Sequence, residues 1–176
     1  MSSTSRSSRR NTHRKGYKAS RHAMEEFGGG KRDIIICHSC SAVYYYKSWH
    51  HNMLHYGGDI EKKQSLQVSL CPACAMWKGR QWEGELRVAG VPSRMKKQVT
   101  QTILSTADEA YRRDPMHRVF NIQEKGKYIK AYFSENQLTN RVAKKLVSSF
   151  KKRFSKPSMR YGKGEDAVLI SMDWIV

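Results

Sequence analysis

Cys37-His38-Ser39-Cys40 and Cys71-Pro72-Ala73-Cys74 are two Cys-x-x-Cys knuckles, and together they hold every cysteine of the chain. Two such pairs about 30 residues apart are the pattern of a four-thiolate metal site. Each knuckle wraps a tight turn that presents two sulfurs on one side. Two knuckles complete a tetrahedron, which suits Zn²⁺ and leaves no open coordination position. A closed site of this kind staples a fold. The expected cofactor is one Zn²⁺ per chain, held by Cys37, Cys40, Cys71 and Cys74; iron in a rubredoxin-like site fits the same knuckles.

A second donor set competes for the first knuckle. His51-x3-His55 follows Cys37-x2-Cys40 as in a two-cysteine, two-histidine finger. The intervening stretch is 10 residues rather than about 12, and His50 stands where a finger places an apolar residue. Using His51 and His55 would also leave Cys71 and Cys74 without a metal. The histidines are therefore read as surface groups.

The flanks of the knuckles read as strands. Ile34-Ile35-Ile36 enters the first knuckle and Val43-Tyr44-Tyr45-Tyr46 leaves it, a ribbon hairpin with Cys37 and Cys40 at its tip. Leu66, Val68 and Leu70 alternate towards Cys71, and Leu86-Arg87-Val88 forms a brief strand before Gly90. Beyond it, Ser93 is expected to cap a helix that buries Met95, Val99, Ile103, Ala107 and Ala110 or Tyr111, with Pro115 ending it. His117 to Glu124 and Lys127 to Phe133 read as a hairpin. Ser134-Glu135-Asn136-Gln137 has the form of a capping box for a helix that buries Leu138, Val142, Leu146 and Phe150. A last strand alternates Val168, Ile170, Met172, Trp174 and Val176. The expected fold class is α+β. A disordered basic tail covers 1–32, a four-cysteine zinc ribbon 33–90, and a small α-β-β-α-β domain 91–176 with its helices on one sheet face.

The chain has 176 residues, with 33 Lys+Arg against 15 Asp+Glu and a formal charge of +18. Such a surplus predicts a polyanionic partner, nucleic acid before an anionic membrane. The charge is uneven: net +7 over 1–32, +1 over 33–90 and +10 over 91–176. With four thiolates around one Zn²⁺ the middle segment falls to about −1. Polyanion binding is therefore expected from the two ends. No apolar run approaches the roughly 18 residues of a spanning helix, and no signal-peptide pattern is present. A cytoplasmic, reducing location is expected, where thiols bind metal rather than pair.

The candidate nucleic-acid contacts fall in three groups. In the tail they are Arg9, Arg10, Arg14, Lys15, Lys18 and Arg21. In the ribbon they are Tyr45, Lys47, Trp49, His50 and His51, part of an aromatic-basic cluster whose rings can stack unpaired bases. The competing reading makes alternate members of the cluster, such as Tyr44 and Tyr46, the ribbon's small core. In the C-terminal segment they are Lys144, Lys145, Lys151, Lys152 and Arg153, a run continued by Lys156 and Arg160 and suited to phosphates. No phosphate-binding loop, HExxH or nucleophile motif occurs, and the zinc-deaminase pattern fails on both halves. A catalytic role is not expected.

The first knuckle with its aromatic tail, Cys37 to Tyr44, then Trp49, then Leu70-Cys71-Pro72-Ala73-Cys74, joined to the stretch Phe120 to Val176, resembles the N-terminal region of the NMD-three family of large-ribosomal-subunit adaptors. It is also similar to small bacterial zinc-ribbon proteins that share that region. In the adaptors, zinc-binding segments precede a small α/β domain and bind the large subunit around its tRNA-binding sites. The resemblance implies the same four cysteines as zinc ligands, and large-subunit rRNA near the tRNA sites as partner. It transfers no catalytic residue. The adaptors carry a larger cysteine set and further domains with export signals, so nuclear export is not expected here.

The leading expectation is a non-catalytic ribosome-associated, rRNA-binding zinc-ribbon factor, acting in assembly, hibernation or stress-linked control of translation. It would have no membrane partner and no small-molecule substrate. Alternatives are a DNA-binding zinc-ribbon regulator and an RNA-processing enzyme.

Overall fold

Parallel pairing of two strands that lie about thirty residues apart brings the two knuckles together. The computed structural model describes residues 34–55, 66–151, 153–161 and 167–175. The expected tail over 1–32, and Lys152, lie outside the described residues. β1 (Ile34–Cys37), β2 (Val43–Tyr45) and β3 (Ser48–His50) form an antiparallel meander. β4 (Leu66–Ser69) lies on the other side of β1 and runs parallel to it, with Cys37 opposite Ser69. Both strands therefore deliver a cysteine at the same end. The expected strand at Leu66 is present, but its alternation does not mark a core. Leu66 and Val68 are 59% and 65% exposed, because β4 is an edge of the four-stranded sheet.

The second knuckle does not sit on a hairpin. Cys71 is the N-cap of a short helix, α1 (Pro72–Lys78), with Pro72 at the first helical position. There the missing N–H of proline costs nothing, and its fixed φ suits the helix.

The second sheet has five strands. β5 (Gly84–Ala89) lies in the middle, flanked by β7 (Tyr128–Phe133) and β9 (Val168–Asp173), with β6 (Val119–Lys125) and β8 (Ser158–Tyr161) at the edges. β5 pairs antiparallel to β7 and parallel to β9. The boundary expected at residue 90 thus falls after a strand that is the centre of the C-terminal sheet. Its partners lie 39 residues or more downstream, and no local pattern announces them. Ribbon and C-terminal segment fall within one compact unit, Arg32–Val176.

α2 (Ser93–Arg113) and α3 (Asn136–Ser149) share one face of this sheet. The alternation in the strands explains why. Leu86, Val88, Ile129, Ala131, Phe133, Val168, Ile170 and Met172 point to the helices and are buried. From the helices come Val99, Ile103 and Ala110, with Leu138, Val142 and Leu146. Gly84 is fitted to a close approach: a Cβ there would lie 1.7 Å from Thr139 Oγ1 on α3. The β6–β7 turn places Gly126 at φ +56, a conformation that favours glycine.

Two expected caps differ. Ser93 is already helical and Pro92 holds the N-cap position of α2, without a side-chain cap. Glu135, not Ser134, is the N-cap of α3. The Ser134 hydroxyl is engaged elsewhere: it donates to the Met116 carbonyl at 2.7 Å and accepts from the Arg118 N–H at 2.8 Å.

Candidate metal centre and nucleic-acid surfaces

The Sγ atoms of Cys37, Cys40, Cys71 and Cys74 all lie within 4.8 Å of one another, and Cys40 and Cys71 are 3.7 Å apart. A tetrahedron with metal–sulfur bonds of about 2.3 Å has edges of roughly 3.8 Å, so the four donors fit one ion. Backbone N–H groups point at the sulfurs: Cys71 donates to Cys37 Sγ at 3.3 Å and Cys74 to Cys71 Sγ at 3.4 Å. Cys37 and Cys71 are wholly buried. Four thiolates packed this closely repel one another unless a cation lies among them. The four cysteines are positioned to bind a metal ion.

The metal-free electrostatics carry the same message. Burial pushes the Cys37 thiol up, but the N–H groups of Cys71, Ser39 and Cys40 outweigh it and bring Cys37 down to about 6. Burial pushes the Cys71 and Cys74 thiols up, and interaction with Cys40 adds to this. The site thus mixes a thiolate with protonated thiols until a cation replaces the protons.

Arg118 completes the surroundings of the site. Its guanidinium donates to Cys40 Sγ at 3.0 Å and to Cys74 Sγ at 3.4 Å, one sulfur from each knuckle. Nε donates to the Pro115 carbonyl at 2.8 Å, and the guanidinium carbon lies 5.4 Å from the Tyr111 ring centroid. Burial disfavours the Arg118 cation, yet its hydrogen bond to Cys40, together with the negative charge the cysteines carry once they are thiolates, outweighs it and raises its pKa. A four-thiolate site with a divalent ion carries about −2, and Arg118 offsets part of that charge. Because Ser134 holds the backbone of the Met116–Arg118 loop, the start of α3 is tied to the metal centre. Sequence reading missed Arg118; it lies in a loop between α2 and β6 with no motif around it.

The histidines do not join the cysteines. His51 Nε2 donates to the Tyr111 carbonyl at 2.6 Å, and its ring meets Tyr111 edge-on at 4.8 Å. His51 therefore fastens the ribbon to the end of α2. His50 is half-buried and stacks on Tyr45 with ring centroids 3.9 Å apart. His55 is exposed, and the cysteine group contains no histidine.

Several expected base-stacking residues are corrected. Tyr45 is 3% and Trp49 8% exposed. Tyr45 packs with Ile34 and Val43 in the ribbon core, and its hydroxyl donates to the Asn52 carbonyl at 3.3 Å. Trp49 lies 5.5 Å from Tyr44. These rings hold the small sheet together and offer no face to a base. The buried tyrosine is Tyr45, not Tyr44 or Tyr46, because the turn at Tyr46-Lys47 has φ +49 and +64 and carries Tyr46 out to 66% exposure. Lys47 is exposed at the same turn.

On α3, Lys144 and Lys145 are exposed, with Arg141 beside them at helical spacing. Lys151 and Arg153 are exposed just beyond the helix. Arg9, Arg10, Arg14, Lys15, Lys18, Arg21 and Lys152 lie outside the described residues. Among the described residues, no helix is long and apolar enough to cross a membrane. Comparison with known protein families, curated proteins and solved structures found no match.

Proposed function

We propose that this chain is a non-catalytic, zinc-stapled RNA-binding protein that associates with the ribosome. The observation that carries the proposal is the division of labour between a closed thiolate site and the charge around it. The four sulfurs lie close enough to share one ion, and an ion held by all four would have no position left for a substrate. The basic surplus lies outside the ribbon, over 1–32 and 91–176. Zn²⁺ is the proposed ion because four buried thiolates in a tetrahedron suit it and need no redox chemistry. The exposed cations of α3 offer phosphate contacts without base reading.

The ribosome is proposed because the paired knuckles and the segment behind them resemble large-subunit adaptors, and because rRNA is the most abundant polyanion such a charge would meet in the cytoplasm. Assembly, hibernation and stress-linked control of translation are the roles this reading covers.

Gradient sedimentation of a tagged chain from cell lysate tests it. Co-migration with large-subunit or whole-ribosome particles, lost at high salt, is the expected result. Free migration together with enrichment of duplex DNA would favour a DNA-binding regulator and overturn the ribosomal reading.

A further inference from the structure

The five-stranded sheet has helices on one side only, and no described element covers the other. Strand alternation places Lys130, Arg87 and Ser171 in one row across β7, β5 and β9, with Gln123 of β6 and Ser158 of β8 at its ends. Four strand spacings make this row roughly 19 Å long. Beside it, Glu85, Leu169 and Arg160 stand in register. Arg87, Lys156 and Arg160 line a cleft of about 320 Å³ over β8 and β9, together with Ser158, Ser171 and Asp173.

On β7 the same face reads Tyr128, Lys130, Tyr132, a cation between two rings. Tyr128 is 53% exposed. Trp82, just before β5, lies 4.7 Å from Tyr132 and keeps 40% of its surface exposed. Rings at one end of the row and cations along it are the two components of a single-strand platform. Exposed rings stack unpaired bases, and the cations follow the backbone.

We propose that this open sheet face binds single-stranded RNA. The inference rests on the RNA-binding reading above and moves its contacts to a surface that shares only Lys156 and Arg160 with the sequence-based candidates. Bases stack on Trp82 and on the tyrosines of β7. Phosphates lie against Lys130, Arg160 and Lys156. Ser158, Ser171 and Asp173 offer oxygen acceptors at the cleft, the chemistry that recognises a ribose 2′-hydroxyl. Charge complementarity selects the occupant. Lys125, Lys130, Arg87, Lys156 and Arg160 outnumber Glu85 and Asp173 on this side. A net charge of +7, as the chain's own 1–32 segment carries, does not complement such a face. A duplex cannot use the rings, because its bases are already stacked on each other.

The test uses the full-length, zinc-loaded protein and a labelled 12-nucleotide oligouridine, read by fluorescence anisotropy over a salt series. Lys130→Glu with Arg160→Glu is expected to weaken binding at least tenfold and to flatten the salt slope by one to two, one per lost phosphate. Trp82→Ala is expected to weaken binding about tenfold, with little change in salt slope. Both variants change half-buried or exposed side chains, and thermal melting verifies that they remain folded. Lys130→Gln with Arg160→Gln repeats the charge test without reversal.

If the open-face variants bind like the parent while Arg141→Glu/Lys144→Glu/Lys145→Glu abolishes binding, the sheet-face assignment is overturned and RNA binding stands. If the parent protein binds no RNA, both readings fall. Tighter binding to duplex RNA, equal binding to the deoxy-oligonucleotide, or equal competition by polyglutamate each overturns the assignment to single-stranded RNA.

Discussion

Cys71 and Arg118 show how far single residues govern this chain. Cys71 is candidate metal donor, N-cap of α1 and acceptor of the Cys74 N–H at once. Cys71→Ser should reduce zinc from one per chain to a small fraction and unfold the ribbon, as read by metal analysis and aromatic circular dichroism. His51→Ala should keep its zinc; a loss there would overturn the ligand assignment. Arg118→Met removes the cation that touches one sulfur of each knuckle. Zinc affinity, measured by chelator competition, should fall by about 10–100-fold, the usual effect of losing a partner to ligand atoms. Arg118→Lys should rescue little, since one ammonium cannot span both sulfurs as the guanidinium fork does. Protons compete with the ion at the same sulfurs. Cys71 and Cys74 are pushed up by burial and hold protons in the metal-free site, whereas Cys37, at about 6, is already a thiolate near neutrality. Metal binding therefore expels protons, and the metal-bound form gains as pH rises. Apparent zinc affinity should climb at least about tenfold per pH unit between 6.5 and 8; a flat profile would contradict the thiol states described.

Gly84 and α3 mark the element scale. Gly84 lets Thr139 of α3 approach the backbone of β5, and a methyl group there would overlap its hydroxyl. Gly84→Ala should destabilise the five-stranded unit by about 1–3 kcal/mol, the range for overpacking a tight contact, read as a lower midpoint in urea. Thr139→Ser with Gly84→Ala should recover little, because the clashing hydroxyl remains. The two long helices were legible from periodicity, and their buried residues agree with it, whereas the short α1 was not. Val99, Ile103 and Ala110 line α2, and Leu138, Val142 and Leu146 line α3. Their first turns were not legible. A serine before a helix reads as a cap, yet Ser134 is drawn into the Met116–Arg118 loop by tertiary contacts. At β4 an alternation of Leu66 and Val68 reads as buried, yet the edge position leaves both exposed.

For the whole molecule, the metal centre is a joint as well as a staple. Arg118, His51 and the pair Trp77–Phe120, 5.6 Å apart, connect the ribbon to the C-terminal unit. Removing zinc should therefore raise amide hydrogen exchange in the ribbon and at residues 114–120, while the strands at the centre of the second sheet stay protected. Uniform exchange across both parts would show instead that the whole unit unfolds together. The sequence alone determined the candidate donor set, since cysteine chemistry and spacing are local properties, and it determined the two long helices and the β6–β7 hairpin, since their periods of 3.6 and 2 are written along the chain. It also determined the excess of positive charge. Only the tertiary structure decided which strand lies at the centre of the second sheet, that Tyr45 and Trp49 are core, and that Arg118 meets the thiolates. It alone gathered Trp82, Arg87, Lys130 and Arg160 on one face. The physical reason is common to all of these: each depends on pairing between segments distant in the chain, and a one-residue change of strand register would turn the same side chains to the opposite face.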